Sequence, residues 1–498
     1  MLHVPSVHYL AILPELIVLG AAVVLLFAAA LSPQRLERTV GTVVVVLSSI
    51  ASLVVAFFQW HNVAVHGAST TLAHAVVLDG FSVVTTGVIA LGLGLSALVA
   101  HDWIGREGHG GVEYQILTLA ATSGAMIMAQ ANDLIVIFLG LEILSIGLYV
   151  LVAFNRRRAN SAEAALKYLL LGGFASAVFI YGAALTYGAT GSTTLTSISY
   201  FLGTHVLTSN GILLAGLGLL LVGFAFKIAA VPFHLWSPDV YEGAPTPVTG
   251  FMAAVVKVGA FAALLRVFAS GFGTQVQAWR PVVWVLVVLS IFVGASIALV
   301  QRNIKRLLAY SSINQAGFML LGLWSGTARG VAGTLYYVMT YTPVVIASFA
   351  VVALVSGLGD DSHSLDRYRG LARRQPLLGG ALTVLLLAQA GAPFTTGFFA
   401  KYSVIAAAVD AGGAPLAVLA MIGAAVAAYF YFRLVLALYA DDATDAAETT
   451  DAPARVDVPL ASGTVIGLGA GTAVLFGVWV TPLAALAHNA TLLFLQKP

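Results

Sequence analysis

Fourteen apolar runs leave this chain one kind of fold. They lie at roughly 8–30, 40–59, 79–101, 114–130, 132–153, 163–187, 211–234, 248–270, 282–300, 305–323, 331–357, 376–408, 414–440 and 459–482. A helix of about 20 apolar residues crosses the hydrocarbon core of a bilayer. Hydrophobic residues make up 60% of the chain and charged residues only 9%, where soluble domains run near 25% charged. The expected fold class is therefore an all-α polytopic membrane protein with about fourteen transmembrane helices. The first run has no preceding Lys or Arg and is read as span one, not as a cleavable signal. The absence of cysteine excludes disulfides, thiolate metal sites and cysteine-ligated clusters. His61, His66, His74, His101 and His109 lie in or beside loops without metal-ligand spacing and are read as surface residues.

The basic residues test the count. The loops after odd-numbered spans hold fourteen: Arg35, Arg38, Arg106, Arg156, Arg157, Arg158, Arg302, Lys305, Arg306, Arg367, Arg369, Arg373, Arg374 and Arg455. The opposite loops and termini hold only Arg280, Arg329 and Lys497. An error in the count would scramble this asymmetry downstream. Cytoplasmic loops are the ones enriched in Lys and Arg, so both termini are expected outside the cytoplasm. The acidic stretch 441–457 is expected to be solvated, and no function is assigned to it.

Six basic residues remain, all within spans. Arg266 and Arg433 lie near span ends and are expected to snorkel or to pair with loop acids. Lys227 stands in an apolar helix that Pro232 breaks five residues later. His234 follows, then Pro238, Pro245, Pro247 and, in the next run, Lys257. Proline in a helix interior frees a carbonyl, which in lipid must face protein or water. A lysine at mid-membrane costs a few kcal/mol even on the mildest scale. Two lysines around a broken helix imply a hydrated, proton-accessible interior.

The stretch 387–401 repeats this theme in reverse, with Gly391, Pro393 and Gly397 first and Lys401 after. The two broken helices, seven and twelve, are five spans apart and so run in opposite directions. Discontinuous helices at matching places in two halves indicate an inverted repeat with its site near the midplane. The expected organisation is three N-terminal spans in 1–113, a five-helix unit in 114–270 (spans four to eight) and an inverted second unit in 282–440 (spans nine to thirteen). Residues 441–498 hold the acidic loop and the last span.

Glu142 falls near the centre of span five, where a lysine partner would lower the cost of its charge. Lys167 lies one to two turns inside span six and has two readings: a relay group, or a snorkelling side chain paired with Glu163. Glu15, beside Pro14, is read as a packing or capping residue. No phosphate loop, dinucleotide fingerprint or haem-attachment motif is present. What remains is a row of ionisable groups: Glu142, Lys167, Lys227, His234, Lys257 and Lys401. Burial disfavours a charged lysine and a nearby carboxylate favours it. Motion of Glu142 relative to Lys227 would thus load or release a proton. The expected path runs from Lys227 through His234 and Lys257 to Lys401.

These stretches resemble the antiporter-like membrane subunits of respiratory complex I, the proton-pumping NADH:quinone oxidoreductase, and most of all its subunit N (subunit 2). The resemblance is carried by LEILSIGLYVLVAF (141–154), SAEAALKYLLLGGFASA (from 161), GFAFKIAAVPFHLWSPDVYEGAPTPVTGFMAAVVKVGAF (223–261), KRLLAYSSINQAGFMLLG (305–322) and GAPFTTGFFAKYSV (391–404). It implies a Glu142–Lys227 pair, Lys167 as modulator, Lys257 as central relay and Lys401 as terminal lysine. It also implies no cofactor on this chain, with FMN and iron–sulfur clusters in partner subunits, M and K as neighbours, and L, A, H and J elsewhere in the arm. Gln315 stands where many relatives have histidine, so a link through span ten needs water, Tyr310 or Ser311. The alternative is an Mrp-type cation/proton antiporter subunit, which shares the lysines and broken helices. Richness in Ala, Gly and Val, with Arg favoured over Lys, points to a high-GC bacterium and its plasma membrane.

Overall fold

The computed structural model describes residues 7–31, 38–108, 111–156, 158–205, 210–440, 455–490 and 492. Arg35, His109, Arg157, Lys497 and residues 441–454 of the acidic loop lie outside the described residues. Among the described residues, ten helices are long and apolar enough to cross a membrane: Tyr9–Leu31, Arg38–His66, Gly80–Arg106, Leu134–Val152, Ala159–Thr190, Thr246–Gly271, Gly273–Val300, Ala328–Val355, Ala414–Tyr439 and Leu460–Val478. The other four expected spans are present as helices of different character. Span four (Glu113–Gln130) and span ten (Ile304–Ser325) are more polar, and the latter carries Ser311, Ser312, Asn314 and Gln315. Spans seven and twelve are split, into Gly211–Lys227 plus Trp236–Gly243 and Pro376–Ala390 plus Thr396–Asp410. We call the halves 7a, 7b, 12a and 12b. Short helices at Leu195–Thr204 and Thr481–Asn489 and a hairpin of Ser69–Thr71 with Val76–Leu78 complete the fold.

The packing repeats. Span four lies on spans five and eight, five on six, and six on 7a. Span nine lies in the same way on ten and thirteen, ten on eleven, and eleven on 12b. Lipid tails are as apolar as leucine, so helices in a membrane associate through close packing, and small residues permit it. A Cβ added at Gly124 of span four would sit 2.5 Å from the Leu144 amide nitrogen of span five. One added at Gly294 of span nine would sit 2.7 Å from the Asn314 nitrogen of span ten. The equivalent pair in each half is thus brought together by glycine.

Spans eight and eleven form the centre and are buried almost throughout. Outer helices turn Phe57, Phe58, Leu170 and Phe174 outward, as a lipid-facing surface allows. Arg266 does not snorkel. It is 1% exposed and makes a two-pronged pair with Asp79 at 2.8 and 3.0 Å, and Asp79 also accepts from Ser82 N to cap span three. The pairing branch of the expectation holds, and breaking such a pair costs about 3–5 kcal/mol. Arg433 meets no acid among the described residues. It donates to the carbonyls of Leu299 and Gln301 at the end of span nine, where a cation complements the helix dipole.

Candidate functional site

Lys227 is the last residue of 7a, and the chain then leaves helical geometry from Ile228 to Leu235. Two carbonyls beside the break find donors: Trp236 Nε1 reaches Phe226 O at 2.9 Å and Ala230 N reaches Ala225 O at 2.8 Å. Ser290 Oγ of span nine accepts from Val231 N at 3.0 Å. The Lys227 ammonium is buried and donates to Ser145 Oγ of span five at 2.8 Å and to Tyr168 OH of span six at 3.2 Å. Tyr168 is held edge-on by Tyr149 and stacked on Trp236.

Glu142 lies one turn before Ser145 and accepts a hydrogen bond from Ser176 of span six. It makes no ion pair with Lys227 among the described residues. The two share helix five's neighbourhood through Ser145. His234 lies in the break, buried, with its ring edge toward Tyr310 of span ten. Among the described residues its Nδ1 has no hydrogen-bond partner.

Lys257 follows a π-helical turn, Met252–Val256, and such turns are frequent at functional sites. Its ammonium donates to the Ser312 carbonyl at 2.6 Å and Ser312 Oγ at 2.5 Å, and lies 5.8 Å from the centre of the Tyr341 ring. Lys401 lies in the first turns of 12b. It reaches back across the second break to the Ala390 carbonyl, the last of 12a, at 2.7 Å, with Phe318 beneath it. Beside Gln315 lies a cavity of about 10 Å³, the size that holds one water, lined also by Tyr337, Tyr341, Gln389 and Ala400. Gln315 is tied there, donating to Gln389 O at 2.8 Å and Tyr431 OH at 3.0 Å and accepting from Tyr337.

Lys167 stands apart from this row. Its side chain is 43% exposed and paired with Glu163 and with Asp239 of 7b, each at 2.8 Å. Asp239 and Glu242 continue the pairing to Arg306. This is the snorkelling geometry, extended by an acid from another helix.

Sequence reasoning missed one charged cluster. Lys305, counted among the loop residues, is fully buried, and its ammonium donates to Ala244 O at 2.5 Å, just before Pro245. Asp360, in the loop between spans eleven and twelve, is also fully buried. It accepts from Thr246 N (2.8 Å), Thr246 Oγ1 (2.7 Å) and Ser356 Oγ (2.9 Å). Lys305 and Arg158 approach it to 3.9 Å and His363 to 3.7 Å. Burial works to raise the Asp360 carboxyl, but the Lys305 charge and the Thr246 hydrogen bonds outweigh it and hold it below the usual carboxylate range. Burial and the Lys305 charge push the His363 imidazole down to about 3, against the pull of Asp360. The one signal in the sequence was an Asp–Asp pair, Asp360–Asp361, in a loop otherwise poor in acids.

Comparison with known proteins gives a consistent picture. A family model described as "NADH:quinone oxidoreductase/Mrp antiporter, TM" matches residues 131–427. A protein of Trichlorobacter lovleyi named NADH-quinone oxidoreductase subunit N is 44% identical over 379 residues, 76% of this chain and 78% of its own length. One of the same name from Parafrankia sp. is 39% identical over 98% of this chain and 95% of its own. A chain of respiratory complex I from Thermus thermophilus, solved with bound aureothin, superposes with a TM-score of 0.80 at 35% identity, covering 95% of this chain and 99% of that one. A chain of the Mrp complex from Dietzia sp. DQ12-45-1b superposes with a TM-score of 0.83, covering 97% of this chain and 98% of that one. Its identity is 21%, which speaks for the fold alone.

Proposed function

We propose, from the premise that this chain belongs to the NADH:quinone oxidoreductase/Mrp antiporter transmembrane family, that its protons move along Lys227, Lys257 and Lys401. The chain is a subunit N of a respiratory NADH:quinone oxidoreductase, a proton-translocating membrane subunit that carries no redox chemistry itself. The observation behind the path is that all three lysines are buried, at 4–5% exposure, and their ammonium groups are hydrogen-bonded to neutral acceptors. None has a carboxylate within ion-pairing distance among the described residues. A lysine held by neutral partners gains or loses its proton in response to charge arriving nearby, because no fixed counter-ion locks it in one state.

Glu142, one turn before the Ser145 that holds Lys227, is the carboxylate that would supply that charge. His234, with a free Nδ1, is suited to pass a proton from the break toward span ten. From Lys257 the route crosses the small cavity beside Gln315, where one water replaces a titratable side chain. Lys167, at the rim, modulates the charge near 7b. The two inverted units, 114–270 and 282–440, would then each contribute one broken helix. NADH oxidation, with its FMN and iron–sulfur clusters, belongs to partner subunits. Subunits M and K are the expected neighbours, with L, A, H and J along the arm, in a bacterial plasma membrane with both termini outside. Lys227→Ala should abolish proton pumping by the assembled complex while leaving assembly intact. Normal pumping in that variant ends the proposal.

A further inference from the structure

The buried cluster around Asp360 joins pieces far apart in the chain. Thr246 is the first residue of span eight, and Asp360 accepts from both its backbone N and its hydroxyl. Lys305 begins span ten and lies against Asp360 on one side and the Ala244 carbonyl on the other. The same loop is stitched to the start of span ten by Ile304 N to His363 O (2.8 Å) and Leu365 N to Arg302 O (2.9 Å). One carboxylate thus ties the first turn of span eight to the first turn of span ten.

These are the helices that meet at the central lysine. Lys257 stands eleven residues beyond Thr246 and Ser312 seven beyond Lys305. At the α-helical rise of 1.5 Å per residue Ser312 lies about 10 Å from its pinned end, and Lys257, beyond the π-helical turn Met252–Val256, lies at most about 16 Å from its own. A helix is stiff along its axis, so the height of its first turn sets the height of every later side chain. A slide of one residue would separate an ammonium from an acceptor now 2.5 Å away.

We infer that Asp360 is a positioning residue for proton transfer at Lys257: by pinning spans eight and ten at one end, it sets the register at which that ammonium meets Ser312. The inference rests on the reading of Lys257 as a relay group. The charged and titratable groups facing Asp360 are Lys305 from span ten, Arg158 from the start of span six, and His363 and Tyr368 from its own loop. Tyr341 of span eleven faces Lys257.

The test uses the assembled complex in proteoliposomes, measuring protons moved per NADH oxidised across a pH series. The variants are Asp360→Asn, Ser312→Ala, the double variant and Lys257→Ala. Asp360→Asn keeps the side-chain shape and removes the charge that holds Lys305. It is expected to lower pumping by at least about threefold and to move the pH midpoint of pumping. In the Ser312→Ala background the same change should add little, since coupled sites are non-additive. Additive losses, an unmoved midpoint, or failure of Asp360→Asn to assemble would each overturn the inference. Normal pumping by Lys257→Ala would instead sink the relay reading, which keeps the two failures apart.

Discussion

The two broken spans hold their lysines by different means. In span seven the lysine ends the first half, and its partners are hydroxyls of two other helices, Ser145 and Tyr168. In span twelve the lysine sits in the second half, and its partner is the Ala390 carbonyl of its own span. A hydroxyl donates or accepts, so it can hydrogen-bond either the ammonium or the neutral amine. A carbonyl only accepts, so it serves the proton-bearing nitrogen best. The hydroxyls around Lys227 can serve its nitrogen in either protonation state, while Lys401 is fastened by a carbonyl across its own break.

The largest effect that would break this contrast is on the hydroxyls. The double variant Ser145→Ala, Tyr168→Phe removes both hydroxyl partners of Lys227 and should cut pumping by about tenfold or more, less than the roughly 10²–10⁴-fold share of a group that itself transfers the proton. Undiminished pumping would mean that the hydroxyls only fill space.

A smaller effect concerns the backbone of the two breaks. Span twelve turns at Gly391 with φ +88°, and a Cβ there would meet Lys401 Cδ at 3.0 Å. Span seven turns at Ala229 with φ +59°, a conformation that suits glycine better. Gly391→Ala should destabilise by about 1–3 kcal/mol and lower pumping. Ala229→Gly should leave thermal stability equal or raise it by up to about 1 kcal/mol. Thermal midpoints of the purified complex would decide, and a matched loss in both variants would erase the distinction.

The smallest effect lies in the loop leading to span twelve. His363 is pushed down to about 3, so on acidification the unfolded chain takes up a proton that the buried ring refuses. Stability from this group is full above the ordinary histidine value near 6.5 and declines as pH falls toward 3. Asp360, held below its ordinary range, adds a further loss only below about 4. His363→Gln should flatten the loss between those limits, seen as a thermal midpoint less dependent on pH. An unchanged acid limb would place the titration elsewhere.

Much of this molecule was legible in its residues. Helices stand at every expected span, ten of them long and apolar enough to cross a membrane, most ends fall within a few residues, and the breaks occur at Pro232 and at Gly391 and Pro393. Lys227, Lys257 and Lys401 are buried, as three charges in apolar runs required. What could not be read was who faces whom. The Glu142–Lys227 pair is not a direct contact, and Lys167 sits at the rim with Asp239. Lys305 looked like one more cytoplasmic loop charge and is wholly enclosed.

The division has a physical cause. Crossing a membrane is decided locally, because each stretch of about twenty residues must satisfy its own backbone in hydrocarbon, and run length and breakers report on that directly. The partner of a buried charge is decided by helix rotation and axial register. Those follow from glycine contacts between neighbouring helices and from loop anchors such as Asp360, which meets Thr246 across 114 positions, and no local pattern records them.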